Sequence, residues 1–476
     1  MQIDQARIAE IVERVVESFE GRLGQEVATG GIFSTVSQAV EAAVGAQKRL
    51  SLLDREKREQ LVAAMREAAM ANARLLAEMA VRETGMGRVE DKILKNLLAA
   101  QKTPGTEDLQ TQAYTGDHGL TLLEMAPFGV IGAITPVTNP SETIINNSIG
   151  MIAAGNAVVF SPHPSARSTS LKTVEILHEA IVRAGGPCNL IAAVQKPSME
   201  AAQALMGHPG VNMLVATGGP GVVRAVLSSG KKAIGAGAGN PPVVVDQTAD
   251  IDKAARDIIA GASFDNNLPC IGEKELIVVE EVADRLIQRL QREGAYILRA
   301  GDIDALTRAA FIVKEDGGGG CTATARKLAP NPAFIGRDVG MILREIGIDV
   351  GRDVRLAVME VGPDHPFVTH EQMMPVLPLV KVSTVEDAIA LAVKVEHGNR
   401  HTAIMHSKHV DYMTELARSI KTTIFVKNAP SYAGIGAGGE GFCSFTIAGP
   451  TGEGLTSARS FTRQRRCVLV DGFRII

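Results

Sequence analysis

The sequence has 476 residues, with 45% hydrophobic and 21% charged residues and a formal charge of −4. That length suits two or three domains with sizeable cores, and the near-balanced charge excludes nucleic acid as a main partner. No apolar run is long enough to cross a membrane, and the acidic N-terminus is unlike a secretory signal.

Residues 1–20 predict an amphipathic helix. Ile8, Ile11, Val12, Val15, Val16 and Phe19 form one stripe, with Glu10, Glu13, Arg14 and Glu17 opposite. A helix this short needs a surface to dock on, either its own domain or another protein. Its acidic polar face argues against a membrane surface. Residues 21–36 read as a flexible linker, with Gly21, Gly24, Gly30 and Gly31. From Ser37 to Glu83 the pattern is helical, with Ser51 as an N-cap and Gly85 and Gly87 ending the run. Asp91–Gln101 is a further helix. Residues 108–126 predict a hairpin about Gly116-Asp117 with a type I′-like turn.

An α/β rhythm follows. Short apolar strands at Gly129–Ile134, Ala157–Phe160, Leu190–Val194, Met213–Val215, Lys232–Ile234 and Val243–Val245 alternate with helices. One of those helices is Ser141–Ala154, with Ser141 as its cap. After a helix at Asp252–Ala260 the rhythm resumes, with strands at Ile277–Val279, Leu356–Met359, Thr402–Met405 and Thr423–Val426. The expected fold class is α/β, with two doubly wound parallel-sheet domains and a small β element for oligomerisation. The cofactor-binding domain spans 37–107 and 127–250, and the catalytic domain 251–443. Residues 108–126 and 457–476 form the bridging element, where the basic strand-like tail pairs with the hairpin and offers an oligomer interface. Gly317–Gly320 is a loop.

The five cysteines, Cys188, Cys270, Cys321, Cys443 and Cys467, are scattered, with no CxxC and no Cys/His metal spacing. That fits a reducing cytosol, and neither a disulfide framework nor a metal site. Cys270 stands apart. It lies in Asn266-Asn267-Leu268-Pro269-Cys270, a polar turn just before a strand. A thiol there can be exposed among backbone N–H groups that favour a thiolate nucleophile; alternatively it is a buried packing thiol, as most free cysteines are. The other four read as packing thiols. Gly235-Ala236-Gly237-Ala238-Gly239 is followed by Asn240-Pro241-Pro242 and a strand, so it fails the context of a dinucleotide fingerprint. It reads better as backbone brought close to a ligand or reacting centre. Thr217-Gly218-Gly219-Pro220-Gly221 lies between strand and helix, where it either places N–H groups near a cofactor or is a plain turn.

From Ser37 onward these stretches resemble the aldehyde dehydrogenase superfamily. The resemblance rests on Ile134-Thr135-Pro136-Val137-Thr138-Asn139-Pro140, Phe160-Ser161-Pro162-His163-Pro164, Thr217-Gly218-Gly219, Cys270, and Glu371 ahead of Pro375-Val376. Within the superfamily the chain is most similar to the CoA-acylating propionaldehyde and acetaldehyde dehydrogenases of bacterial microcompartments, through Ile145–Ser148, Met373–Pro378 and Ser444–Gly454. The resemblance implies Cys270 as nucleophile and Asn139 as oxyanion donor, with Thr138 the alternative. Cofactor contacts fall to Thr135, Pro136, Ser161, Pro162, His163, Thr217, Gly218, Gly219, Gly237 and Glu371, the last on the nicotinamide-side ribose. Hydrolytic members have a lysine where Ser161 stands, and a water-activating glutamate where Ala236–Asn240 has no carboxylate. Without that base water is a poor acceptor, whereas a thiol with a pKa of about 8.5 is partly ionised near neutrality. The implied cofactors are therefore NAD and coenzyme A, with a short aldehyde as substrate. The resemblance also implies a cytoplasmic enzyme housed in a microcompartment, with residues 1–20 docking on a shell protein or other cargo, and a homo-oligomer.

Overall fold

The computed structural model describes residues 29–315 and 326–476. The helix expected at 1–20, most of the linker, the Gly317–Gly320 loop and Cys321 lie outside them. Six parallel strands form the first sheet, in the spatial order Ile32–Phe33, Ile191–Val194, Ala157–Pro162, Val130–Thr135, Met213–Thr217 and Lys232–Ala236. Seven parallel strands form the second, in the order Tyr296–Ile297, Ala357–Glu360, Val376–Val382, Glu275–Val279, Pro242–Val245, Thr402–His406 and Ile424–Lys427. Both are buried on both faces, as the continuous Val/Ile/Ala runs require. Gln112–Gly116, Gly119–Pro127 and Thr462–Val470 make a separate antiparallel sheet, so the tail does pair with the hairpin, from Thr462↔Pro127 to Val470↔Gly119.

Several expectations need correction. The segment from Ser37 to Glu83 is three helices, Val36–Leu50, Arg55–Ala71 and Ala73–Thr84. Ser51 closes the first, its N–H donating to the Gln47 carbonyl. Asp54 caps the second by accepting from the Lys57 N–H at 2.7 Å, a bond worth about 1 kcal/mol. Gly85 ends the third in the left-handed conformation (φ 67°). Ser141 is the second residue of its helix, Pro140–Ala153, whose N-cap is Asn139. The hairpin turns at Asp117-His118, and neither residue has the positive φ that a type I′ turn requires.

Ile32–Phe33, placed in the linker, is an edge strand of the first sheet. Pro242–Val245 lies inside the second sheet, so the chain crosses between sheets at 237–241 and not at residue 250. The central strand Val376–Val382, which contains Pro378, was not foreseen. It tolerates Pro378 because pairing with Glu275–Val279 begins at Leu379, past the proline. Nor were the helices Ala300–Ala310 and Val339–Arg344 foreseen, or the Phe311–Glu315/Arg326–Pro330 hairpin.

Candidate active site

The C-terminal ends of the first sheet's strands and the turn before Glu275–Val279 meet around a cavity of about 340 Å³. Strand Val130–Thr135 delivers Pro136, Val137, Thr138 and Asn139 to its wall. Strand Met213–Thr217 delivers Thr217, Gly218 and Gly219, and the loop after Lys232–Ala236 delivers Gly237 and Ala238. Cys270 and Glu371 come from the second sheet's side, and Phe445 and Ile447 from the Ser444–Gly454 stretch. Of the expected site residues, Pro136, Asn139, His163, Thr217, Gly218, Gly219, Gly237, Cys270 and Glu371 line the cavity. Thr135, Ser161 and Pro162 do not; they are buried at the strand ends behind it. The Nδ1 of His163 accepts from the Ser165 N–H at 3.1 Å, so this residue also caps a turn.

The turn before Cys270 is unusual in its backbone. Asp265, Asn266 and Asn267 are three consecutive left-handed residues, with φ of 48°, 56° and 63°. Asp and Asn adopt that conformation more readily than other side-chain-bearing residues. Each is held by its side chain. Asn266 Nδ2 donates to the Gly336 carbonyl (3.0 Å), and Asn267 Nδ2 to the carbonyls of Ala262 (2.9 Å) and Glu273 (2.8 Å). Lys274 closes the loop from the other end, its Nζ donating to the Asn267 carbonyl (2.9 Å) and Oδ1 (2.5 Å). Asp265 receives two buried cations, Lys92 at 3.0 Å and Lys95 at 2.6 Å, and Lys95 also pairs with Glu142 at 3.1 Å. Lys95 Nζ donates to Asn139 Oδ1 at 2.6 Å, while Asn139 Nδ2 donates to Thr138 Oγ1 at 3.2 Å.

Burial, then the charge of Glu371, pushes the Cys270 thiol up to about 12, with Lys274 and the residue's own backbone N–H pulling the other way. The thiol is therefore protonated at rest, contrary to the thiolate expected from the turn alone. Cys270 is partly exposed to the cavity, Cys443 is buried, and Cys188 and Cys467 are exposed rather than packed. Burial also raises Glu371, whose Oε1 accepts the Gly239 N–H at 3.3 Å. Gly239 is where backbone meets the reacting centre, since a β-carbon there would lie 2.7 Å from the Cys270 carbonyl oxygen and 2.9 Å from the His401 ring. His401 is buried, lowered to about 4 chiefly by desolvation, and its Nε2 has no partner among the described residues. Reading the sequence missed Lys92, Lys95, Glu142, Asp265, Lys274 and His401.

The aldehyde dehydrogenase family model matches residues 14–442. A propanal dehydrogenase (CoA-propanoylating) from Salmonella typhimurium is 52% identical over 446 residues, 94% of this chain and 93% of that protein. The crystal structure of Rhodopseudomonas palustris propionaldehyde dehydrogenase, with bound CoA and an acylated cysteine, superposes with a TM-score of 0.88 at 54% identity, covering 93% of this chain and 99% of that one. A propionaldehyde dehydrogenase from the Clostridium phytofermentans fucose utilisation bacterial microcompartment gives 0.89 at 51% identity, covering 94% and 100%. Fold and site thus define an oxidoreductase acting on aldehydes. The chain belongs to the aldehyde dehydrogenase family.

Proposed function

We propose that this protein is a CoA-acylating aldehyde dehydrogenase acting on a short aldehyde, propionaldehyde by preference. The observation that carries the reading is the wall beside Cys270. Ala236–Asn240 presents backbone and glycine there and no carboxylate, so nothing in that stretch activates a water against a thioester. The relatives described above, named for CoA propanoylation and for propionaldehyde, support the same acceptor. The sulfur of Cys270 attacks the aldehyde carbon as the thiol gives up its proton to solvent water, and the carbonyl oxygen gathers negative charge. Asn139 Nδ2 and the Cys270 backbone N–H receive that charge. A nicotinamide dinucleotide, when bound, supplies the hydride acceptor for the thiohemiacetal. The residues present fit it. Gly219 and Gly237 border open space in which a β-carbon would meet nothing within 4 Å. One oxygen of Glu371 remains free to accept a ribose hydroxyl, and His163 lines the same wall. The CoA thiol then attacks the Cys270 thioester, releasing acyl-CoA and returning the cysteine.

The test is the acceptor. Propionaldehyde oxidation followed as NADH is expected to turn over only with CoA present, stopping near one equivalent per site without it. Equal rates of free-acid formation without CoA would point to a hydrolytic enzyme instead.

No helix among the described residues is long and apolar enough to cross a membrane. Housing in a microcompartment is supported by the relative from such a compartment, and the stripe at residues 1–20 supplies a docking element for a shell protein or other cargo. Assembly with further copies of the chain is supported by the outer sheet, where Val468, Leu469 and Val470 are exposed. Two truncations read these points together. Removal of residues 1–20 is expected to abolish co-localisation with shell protein while leaving solution activity intact, and removal of 463–476 to yield a smaller species by light scattering. Lost activity in the first or an unchanged mass in the second overturns the corresponding assignment.

A further inference from the structure

The Lys92, Lys95, Asp265 and Glu142 cluster lies between two parts of the site that come from different domains. Lys92 and Lys95 project from the helix Val89–Lys102, and Glu142 from the helix that Asn139 caps. Asp265 starts the left-handed turn that leads to Cys270. All four side chains are essentially inaccessible. Two cations face two carboxylates, so the cluster is neutral. Two lysine bonds leave it for the Asn139 loop, from Lys92 Nζ to the Thr138 carbonyl at 3.1 Å and from Lys95 Nζ to Asn139 Oδ1 at 2.6 Å. An ammonium has only donors, so the atom it meets on Asn139 is the oxygen. That settles the orientation of the amide, and it leaves Nδ2 one hydrogen beyond its bond to Thr138.

We infer that Lys95 is a positioning residue, which holds the Asn139 amide with its donor edge toward the thiol cavity and ties that edge to the Cys270 turn through Asp265. The inference rests on the proposed thioester chemistry and on Asn139 as the oxyanion donor. Without the ammonium, the acceptors left beside Asn139 are the carboxylates of Glu142 and Asp265. They invert the amide, since Nδ2 is then drawn to them and Oδ1 is turned toward the oxygen that becomes negative. Loss of Lys95 therefore approaches loss of the donor itself, a factor of about 100 in the acylation step.

A double-mutant cycle tests this on the full-length enzyme. Lys95→Met is expected to slow single-turnover NADH formation about 100-fold in the wild-type background and less than threefold in the Asn139→Ala background. Lys95→Arg keeps a cation and is expected to stay within about tenfold of wild type. Alkylation of Cys270 by iodoacetamide, which needs no oxyanion donor, is expected to change less than threefold. Because Lys95→Met leaves an unbalanced buried charge, Lys95→Met/Glu142→Gln is measured beside it. It restores neutrality and is expected to recover the thermal midpoint without recovering the rate. A Lys95→Met loss equally large in both backgrounds overturns the inference, as does a wild-type rate in the charge-balanced double variant. A parallel loss in alkylation also overturns it, by placing the effect on the thiol. Full activity of Asn139→Ala removes the oxyanion assignment together with the inference. CoA-independent turnover strikes the proposed function, and the cycle reads separately from it.

Discussion

Cys270→Ala is expected to lose NADH and acyl-CoA formation by a factor of about 10⁴ or more, because among the described residues no other thiol lines the cavity. Cys443 is buried and Cys188 and Cys467 are on the surface, and none of them lines the cavity. The variant keeps the loop's bonds, which run through Asn266, Asn267 and Lys274 rather than through the sulfur. Its thermal midpoint should therefore stay near wild type. Turnover within tenfold of wild type would remove the covalent scheme. The wild-type thiol adds a second readout. With its pKa raised to about 12, its thiolate fraction rises tenfold per pH unit well below that value. Iodoacetamide alkylation of Cys270 in the unliganded enzyme should climb accordingly from pH 7 to 9. A plateau by pH 8 would mean a thiolate stabilised at rest.

That resting state comes from burial and from Glu371, in a setting crowded with carboxyls. Glu273, Glu275 and Glu371 face a single ammonium, Lys274. Three carboxyls against one cation, all out of water, cannot all ionise without a large penalty. Glu273, held by the Ser431 N–H and hydroxyl at 2.8 and 2.7 Å, is pushed up to about 7 by burial. Glu275, with neither oxygen partnered among the described residues, is raised well above its ordinary value, again by burial. Of these carboxyls it is Glu371 that works against ionisation of the thiol. A protonated thiol is also less open to oxidation than a thiolate, which suits a nucleophile that waits for its substrate.

The parts of this architecture that were legible in the sequence are those with local rules. Apolar runs such as Ala157–Phe160 marked strands and Gly85 marked a helix end, while the Asn-Asn-Leu-Pro-Cys turn left nucleophile and packing thiol both open until the family resemblance chose between them. What escaped was set by tertiary context. The helix Val89–Lys102 shows this most sharply. Its polar positions Asp91, Lys92, Lys95 and Asn96 recur at helical spacing and form the buried face, while Leu94 is 57% exposed. Amphipathic patterning assigns such a stripe to solvent, and only its partners on other elements, Asp265, Glu142 and Asn139, offset the loss of water. A charged stripe beside a well-formed apolar leucine that has nowhere to go is the signal that would have found it. The thiolate expected at Cys270 failed for a related reason. The turn favours ionisation locally, but burial and Glu371, contributed from about a hundred residues away in sequence, outweigh it.

Asn139→Ala carries the second large effect and tests the charge-receiving half of the mechanism. As the Cys270 sulfur adds to the aldehyde, the carbonyl oxygen becomes an alkoxide in a cavity whose wall is largely apolar. A preoriented donor there is worth about 10²–10³ in rate, or about 2.7–4 kcal/mol. The Asn139 amide is preoriented on both sides, by Lys95 at its oxygen and Thr138 at its nitrogen, so little reorganisation is needed as charge develops. The expected result is a fall of that size in the single-turnover rate of NADH formation. KM for the aldehyde should move far less, since the uncharged carbonyl of the ground state gains little from the donor. Thr138→Val separates the two candidates for the role, because Thr138 lies one residue earlier and its hydroxyl accepts from the amide. That change is expected to cost less than tenfold. If Thr138→Val costs more than Asn139→Ala, the donor assignment passes to the hydroxyl. If neither variant slows the step beyond fivefold, the backbone N–H of Cys270 carries the oxyanion alone.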